Sequence, residues 1–128
     1  MEKLTETNYV DFAENVIVEG LERDRKGNFR LTNSKIRNLL SLVNNLYTDI
    51  VRLSGANERL SEAIEGKIQY LRLRFVYEAG REKSVKDFVE KADIIRHLKR
   101  IETRSDLLLF CRYMEALVAY HKFNGGRD

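Results

Sequence analysis

The residues of this 128-residue chain best suited to chemistry are cations and short polar side chains at helical spacing. Arg37, Ser41, Asn44 and Thr48 fall at i, i+4, i+7 and i+11, flanked by Asn38, Asn45 and Arg52. A solvated helix face usually carries Glu and Lys, which form helix better than Asn, Ser or Thr, so this face gives up propensity. Contact with a sugar-phosphate backbone is one reason to do so: amides and hydroxyls donate to phosphate and ribose oxygens, and arginine supplies charge. Lys35 and Arg37 stand in the first turn of the same predicted helix, where free backbone N–H groups and the helix dipole already favour an anion. A second polar strip, Lys67, Arg74, Glu78 and Arg81, reads equally as an ion-paired row or as a ligand-contacting one. Arg81, Lys83 and Lys86 crowd a predicted helix start with Glu82 as the only acid among them. That corner is either an anion site or a merely exposed turn.

Catalytic groups are hard to find. His97 and His121 lie in predicted helices without Cys, Asp or Glu arranged as a ligand set, which points to structural histidines and to no metal or cofactor. No glycine-rich loop follows a strand, no G-x-S-x-G occurs, and Glu78 and Glu82 are helix neighbours of the solvated kind. Cys111 is the single cysteine. Set in an apolar stretch, it is a poor nucleophile, it precludes a disulfide framework, and it implies a reducing, cytoplasmic compartment. The opening MEKLTETNYVDF is too polar and acidic for a secretory or transit segment, so neither secretion nor a membrane is expected. The formal net charge of +3 is only a weak pointer to a polyanion, and its distribution matters more.

The elements that must position these groups are helices. Charged residues make up 34% of the chain, proline is absent, and alternating β-branched runs are scarce; together these predict one all-α domain over residues 1–128. Five helices are expected, near residues 8–24, 33–54, 57–80, 84–101 and 104–123, as a bundle around the last. That last segment contains LLLFCRYMEALVAY (107–120), apolar nearly all round but too short and too charged to span a bilayer. The first helix is expected to start at Asn8 as N-cap and to bury Val10, Ala13, Ile17 and Leu21. RDRKGNFR (23–30) follows, without periodicity; it reads as an exposed, mobile loop, either a solvated connector or a basic arm that touches phosphate. The second helix, capped between Thr32 and Ser34 and ended by Ser54-Gly55, should bury Ile36, Leu39, Leu40, Val43, Leu46, Tyr47, Ile50 and Leu53. The third, starting at Asn57 or Glu58, shows two apolar faces, Ile64, Ile68, Leu71, Phe75 and Ala79, then Tyr70, Leu73 and Tyr77, which predicts neighbours on both sides. Gly80 interrupts the pattern, and Ser84 is expected to cap the fourth helix. Thr103 or Ser105 should cap the fifth, and Asn124-Gly125-Gly126 should end it.

Four stretches carry a resemblance as well. TNSKIRNLLSLVNNLY (32–47), KIQYLRLRFVYEAGRE (67–82), VKDFVEKA (85–92) and FCRYMEALVAYHKFNGG (110–126) resemble the Csm small subunit of type III-A CRISPR effector complexes. The similarity spans essentially the whole chain. It implies a small prokaryotic, cytoplasmic helical bundle without catalytic activity or cofactor, acting in antiviral defence. It further implies copies that stack beside the backbone subunits that hold the guide RNA and against the large nucleotide-cyclase subunit. Partners on this reading are guide RNA, target RNA, other Csm effector subunits and further copies of the chain. Basic residues would then contact RNA backbone without reading sequence: Lys35 and Arg37 in SKIRN, Arg72 in YLR, Arg81 in AGRE and Lys86 in VKD. Arg52 and Arg74 complete the candidates read from the residues. The competing expectation is a helical module that contacts only protein.

Overall fold

The computed structural model describes residues 2–52 and 59–128. Their architecture is all-α: α1 (Tyr9–Asn15) running into a π-helical turn (Val16–Gly20), α2 (Asn33–Val51), α3 (Glu62–Arg81), α4 (Lys83–Lys91), α5 (Ile94–Lys99) and α6 (Arg104–Phe123). The expected helix end at Ser54-Gly55, the core position Leu53 and the expected start at Asn57 or Glu58 lie outside the described residues. Within them, Ser61 caps α3, its hydroxyl accepting from the Ile64 N–H at 3.3 Å.

α6 is the post around which the chain is built. Leu107, Phe110, Cys111, Tyr113, Met114, Leu117 and His121 are all buried along it. α1, the π turn and α2 pack on α6, while α3 packs on α2, α4 and α5. Thr103 starts the post: its hydroxyl accepts from the Asp106 N–H at 3.1 Å, and the Asp106 carboxylate accepts in return from the N–H of Thr103 at 3.2 Å and of Glu102 at 3.0 Å. This reciprocal box satisfies donors that a helix start otherwise leaves open.

Among the described residues six α-helices stand where five were expected, because the fourth divides. Asp93 adopts the left-handed conformation, φ 55° and ψ 38°, and separates α4 from α5. Neither Gly nor Pro marks the break, but Asp is among the few residues that visit this region readily. The Tyr113 hydroxyl of α6 donates to the carbonyl of Ala92 at 2.9 Å, just before the break, so tertiary contact holds it. Glu82, not Ser84, is the N-cap residue of α4, and it makes no side-chain cap hydrogen bond.

The first helix also departs from expectation. It ends at Gly20, four residues early, with Leu21 already extended at φ −68° and ψ 133°. The extra residue of the π turn rotates the apolar stripe, so Val16 joins Ala13, Ile17 and Leu21 in the core while Val10 is left exposed. Asn8 does not cap the helix through its side chain. Its Oδ1 accepts from the Thr5 N–H at 2.7 Å and its Nδ2 donates to the Lys3 carbonyl at 3.1 Å, pinning the preceding segment.

Residues 23–30 are a closed turn. Arg23 and Phe29 form an antiparallel bridge, and Gly27 takes φ 83° at the tip. The Asp24 carboxylate accepts from the N–H groups of Lys26 at 2.8 Å and Asn28 at 3.0 Å. Phe29 is buried, its ring stacked on His121 at 4.9 Å with the Arg23 guanidinium 4.0 Å from its other face. Phe29 thus anchors a turn whose composition reads as solvated.

The largest correction concerns α3. Its first face is buried as expected, through Ile64, Ile68, Leu71 and Phe75, but the second is left open by the described residues. Tyr70, Leu73 and Tyr77 are 57–59% exposed, and Val76 beside them 52%. Two apolar faces do not make this helix interior.

Two expectations for stability follow from this packing. Leu117 is fully buried on α6, so Leu117→Ala should cost about 2–5 kcal/mol in a denaturant melt; a change of less than about 0.5 kcal/mol, the range of surface substitutions, would remove α6 from the core. His97 is buried with its ring edge against Tyr113, and burial holds its pKa down at about 4. The unfolded chain, with an ordinary value near 6.5, therefore binds the proton first. Stability from this residue is complete above about pH 6.5 and is lost as pH falls towards about 4. Burial also lowers His121. His97→Phe should flatten the pH dependence of the melting temperature in that window; an unchanged slope would assign it elsewhere.

Candidate nucleic-acid interface

Several of the candidate cations converge where α2 begins and α3 ends. A groove of about 420 Å3 is lined by Lys35, Asn38, Leu39 and Leu42 of α2, by Arg74, Glu78 and Arg81 of α3, and by Glu82 and Val85. The apolar spacing of both helices builds it. Leu39 and Leu71 face the core, which turns Asn38 and the Arg74 row towards the seam.

None of these cations stands bare. Lys35 reaches across to Glu82, Nζ to Oε2 2.9 Å, and this ammonium holds the Glu82 carboxyl below its usual pKa. Glu78 lies 3.7 Å from Arg74 and 3.6 Å from Arg81 along α3, so the strip is the ion-paired row that its spacing allowed. Lys67 pairs with Asp49 of α2 at 2.7 Å. Such exposed pairs contribute little to stability, typically below about 1 kcal/mol, and can be exchanged for other anions at small cost.

The N-terminus of α2 is likewise occupied. Thr32 caps it, accepting from the Lys35 N–H at 3.3 Å. The Asp128 carboxylate accepts from the Ser34 N–H at 2.8 Å and from its hydroxyl at 2.6 Å, while the Asn33 N–H donates to the Arg127 carbonyl at 3.1 Å. Those bonds, with Arg37 and Lys122 nearby, hold the Asp128 carboxyl below its ordinary pKa. The dipole and charge expected to favour an anion there do hold one, and it belongs to the chain itself.

The segment carrying Asp128 is placed by close packing. Gly126 donates to the His121 carbonyl at 2.7 Å, and a Cβ at Gly126 would clash with the His121 ring. His121 Nε2 lies 2.7 Å from the Leu31 carbonyl; the carbonyl can only accept, so the proton sits on Nε2. Buried His121 therefore joins the end of α6 to the start of α2. The sequence places Gly126 only in a helix terminator and Phe29 only in a basic loop, and does not single out Asp128; nothing in their local spacing marks such long-range partners.

The remaining candidates are dispersed. Arg72 points to the other side of α3, hydrogen-bonded to Gln69 Oε1 at 3.0 Å and lining a recess with Ile68, Leu98, Lys99 and Ile101. Lys86 is exposed on α4. Arg52 caps the far end of α2, some 15 residues from Arg37, which is about 22 Å along a helix. On the face between them, the hydroxyls of Ser41 and Thr48 donate to the carbonyls of Arg37 and Asn44, each at 3.1 Å. They keep lone pairs to accept with; Asn38, Asn44 and Asn45 are exposed.

No group of three or more His, Cys, Asp or Glu among the described residues is placed to hold a metal. Burial, then Glu115, pushes the Cys111 thiol up to about 12, far from a reactive thiolate. No helix among the described residues is long and apolar enough to cross a membrane.

Since Asp128 competes for the α2 N-terminus, Asp128→Asn should raise the affinity of the chain for polyanions or leave it unchanged. Heparin or oligonucleotide titration that showed weakened binding would mean that Asp128 organises an acceptor-rich site and not a cationic one.

Comparison with known proteins adds what geometry alone does not. The sequence profile described as Csm2 Type III-A matches residues 9–127. Among curated proteins, the chain is 53% identical over 125 residues to the CRISPR system Cms protein Csm2 of Streptococcus thermophilus, covering 98% of both chains. It is 43% identical over 122 residues to the protein of that name from Mycobacterium tuberculosis (strain CDC 1551 / Oshkosh), covering 94% of both. Against the one from Enterococcus italicus it is 36% identical over 124 residues, covering 89% of this chain and 87% of the other. A profile match over nearly the whole length, with relatives at this identity and coverage, establishes that the chain belongs to the Csm2 family of type III-A CRISPR systems.

Proposed function

We propose that the protein is a non-catalytic small subunit of a type III-A CRISPR ribonucleoprotein, stacking in copies and holding guide or target RNA through its backbone without reading sequence. Family membership supports the subunit role. The RNA role rests above all on one observation: Lys35, Asn38, Arg74 and Arg81 line a single groove, contiguous with the amide-rich face of α2. Lys and Arg supply charge to phosphates there, and amides donate to phosphate and ribose oxygens; such contacts position a strand and carry no base preference. Glu78 and Glu82 already partner three of these cations, so a phosphate binds by replacing a carboxylate. Binding by exchange suits a subunit whose grip is strong only when many copies and neighbours act together. Its partners on this reading are guide and target RNA, further copies of itself, the backbone subunits and the large cyclase subunit, in a prokaryotic cytoplasm.

The same ion pairs favour a second reading, a helical module that contacts only protein, its cations neutralised by their own carboxylates. Salt separates the two, because phosphate contacts release counterions and a largely apolar interface does not. Changing both Lys35 and Arg37 to Ala in the assembled complex should weaken binding to unrelated RNA sequences by similar factors. On a single strand the log–log salt dependence should become shallower by about 0.7 for each phosphate that is no longer neutralised, and roughly one to two phosphates are expected to be released. An unchanged slope would move the site to Arg72, Arg81 and Lys86, and silence there too would favour the protein-only module. Glu19→Ala, on the acidic π turn, is the control for the isolated chain, where no copy-to-copy contact is at stake and RNA affinity should be unchanged or slightly higher.

A further inference from the structure

The exposed side of α3 is an apolar ridge that no other helix among the described residues covers. Tyr70, Leu73, Val76 and Tyr77 recur at i, i+3, i+6 and i+7, each more than half exposed, with the open glycines Gly66 and Gly80 at either end. The ridge spans about two turns between the tyrosines, roughly 10.5 Å. Contiguous exposed apolar side chains of this kind mark a docking surface more than a solvated face. The surroundings are cationic: from Lys67 to Arg81, α3 carries Lys67, Arg72, Arg74 and Arg81 against Glu78 alone. The Arg81 guanidinium lies 5.6 Å from the Tyr77 ring centre, at the edge of the ridge.

The opposite character appears on α1 and the π turn. From Tyr9 to Leu21 there are three acids, Asp11, Glu14 and Glu19, and no Lys or Arg. All three are exposed, and Val10 and Val18 stand exposed among them, 39% and 41%. Four bases against one acid over residues 67–81, where the ridge lies, and three acids against no base over residues 9–21 give local charges of +3 and −3, while Glu62 and Glu65 stand in the first turn of α3, beyond the ridge. The two elements do not pack on each other: α1 lies on α6, whereas α3 lies on α2, α4 and α5. One molecule therefore presents both halves of a complementary contact on different sides.

We propose that the α3 ridge of one copy docks on the α1 and π-turn face of the next, with Leu73 and Tyr77 seated by Val10 and Val18 and with Arg72 and Arg81 beside Asp11, Glu14 and Glu19. This contact is heterologous, so it leaves a free ridge at one end and a free acidic face at the other, and it propagates. Pairing of two ridges is disfavoured, because Lys67, Arg74 and Arg81 share one flank of α3 and would face their own kind. RNA is a poorer occupant, since Leu73 and Val76 offer it neither charge nor a hydrogen-bonding group. The inference deepens the stacking part of the proposed function by naming the two surfaces that would meet.

Cysteine cross-linking tests it, since the native Cys111 is buried and silent. Val18→Cys and Tyr77→Cys alter only exposed positions. With a short bifunctional thiol reagent, a chain carrying both substitutions should give a ladder of dimers, trimers and higher species, in the purified complex and after ribonuclease treatment. Either substitution alone should give none, and a mixture of the two single variants should give a dimer that stops there. Leu73→Asp in the doubly substituted chain should suppress the ladder at least tenfold while the helical circular dichroism is unchanged. A dimer from Tyr77→Cys alone, or no ladder from the double variant, overturns the proposal. So does a Leu73→Asp variant that keeps the ladder but loses RNA affinity, which would make the ridge an RNA surface. A ladder in a protein whose Lys35 and Arg37 prove irrelevant to RNA would instead leave this interface standing and remove the proposed RNA site.

Discussion

The structure depends on keeping α6 dry. Seven of its side chains are buried, among them Tyr113, Phe110, Met114 and Leu117, and they set what every neighbour must supply. α1 and α2 each lay an apolar stripe on it, and two of the polar atoms it buries are matched by distant carbonyls, while His121 Nδ1 is buried without a partner among the described residues. The Tyr113 hydroxyl finds the Ala92 carbonyl, and His121 Nε2 finds that of Leu31. Burying such groups without partners would cost roughly 1–3 kcal/mol each, so these bonds dictate where the α4–α5 break and the turn after Phe29 must lie.

Surface charge follows a different logic. Cations gather at the α2–α3 seam because the apolar faces of both helices are used inwards, and carboxylates from α3, from Glu82 and from Asp128 then settle beside them. Each pairing is solvated and weak, which makes the groove exchangeable. A groove that holds its own carboxylates loosely can accept phosphates when many are offered together, and it repels little when none are present. The acidic α1 and the basic α3 extend this division of charge across the molecule.

Much of this was legible in the chain alone, for reasons of periodicity. Apolar residues at helical spacing located α2, α3 and α6; the caps were narrowed to residues 32–34 and to Thr103 or Ser105, because hydroxyls and amides at such positions meet free N–H groups, and the fold selected Thr32 and Thr103. The i, i+4, i+7 relation of Arg74, Glu78 and Arg81 allowed an ion-paired row as readily as a ligand-contacting one, and the fold shows the pairs. The motifs shared with the type III-A small subunit lie on these same helices, and family comparison agrees with them.

What the tertiary structure decided involves partners distant in sequence. Nothing local announces that Asp93 will turn left-handed, that Asp128 will lie on Ser34, or that Phe29 will stack on His121, because each depends on a surface formed tens of residues away. The π turn is of the same kind: one added residue moves Val10 out and Val16 in, a choice made by the fit of α1 on α6. The second apolar face of α3 shows the division most clearly. The sequence determined by itself that Tyr70, Leu73 and Tyr77 share a side, since that is helix geometry; only the packed fold decided that this side stays more than half exposed among the described residues, since burial depends on which neighbours remain to cover it.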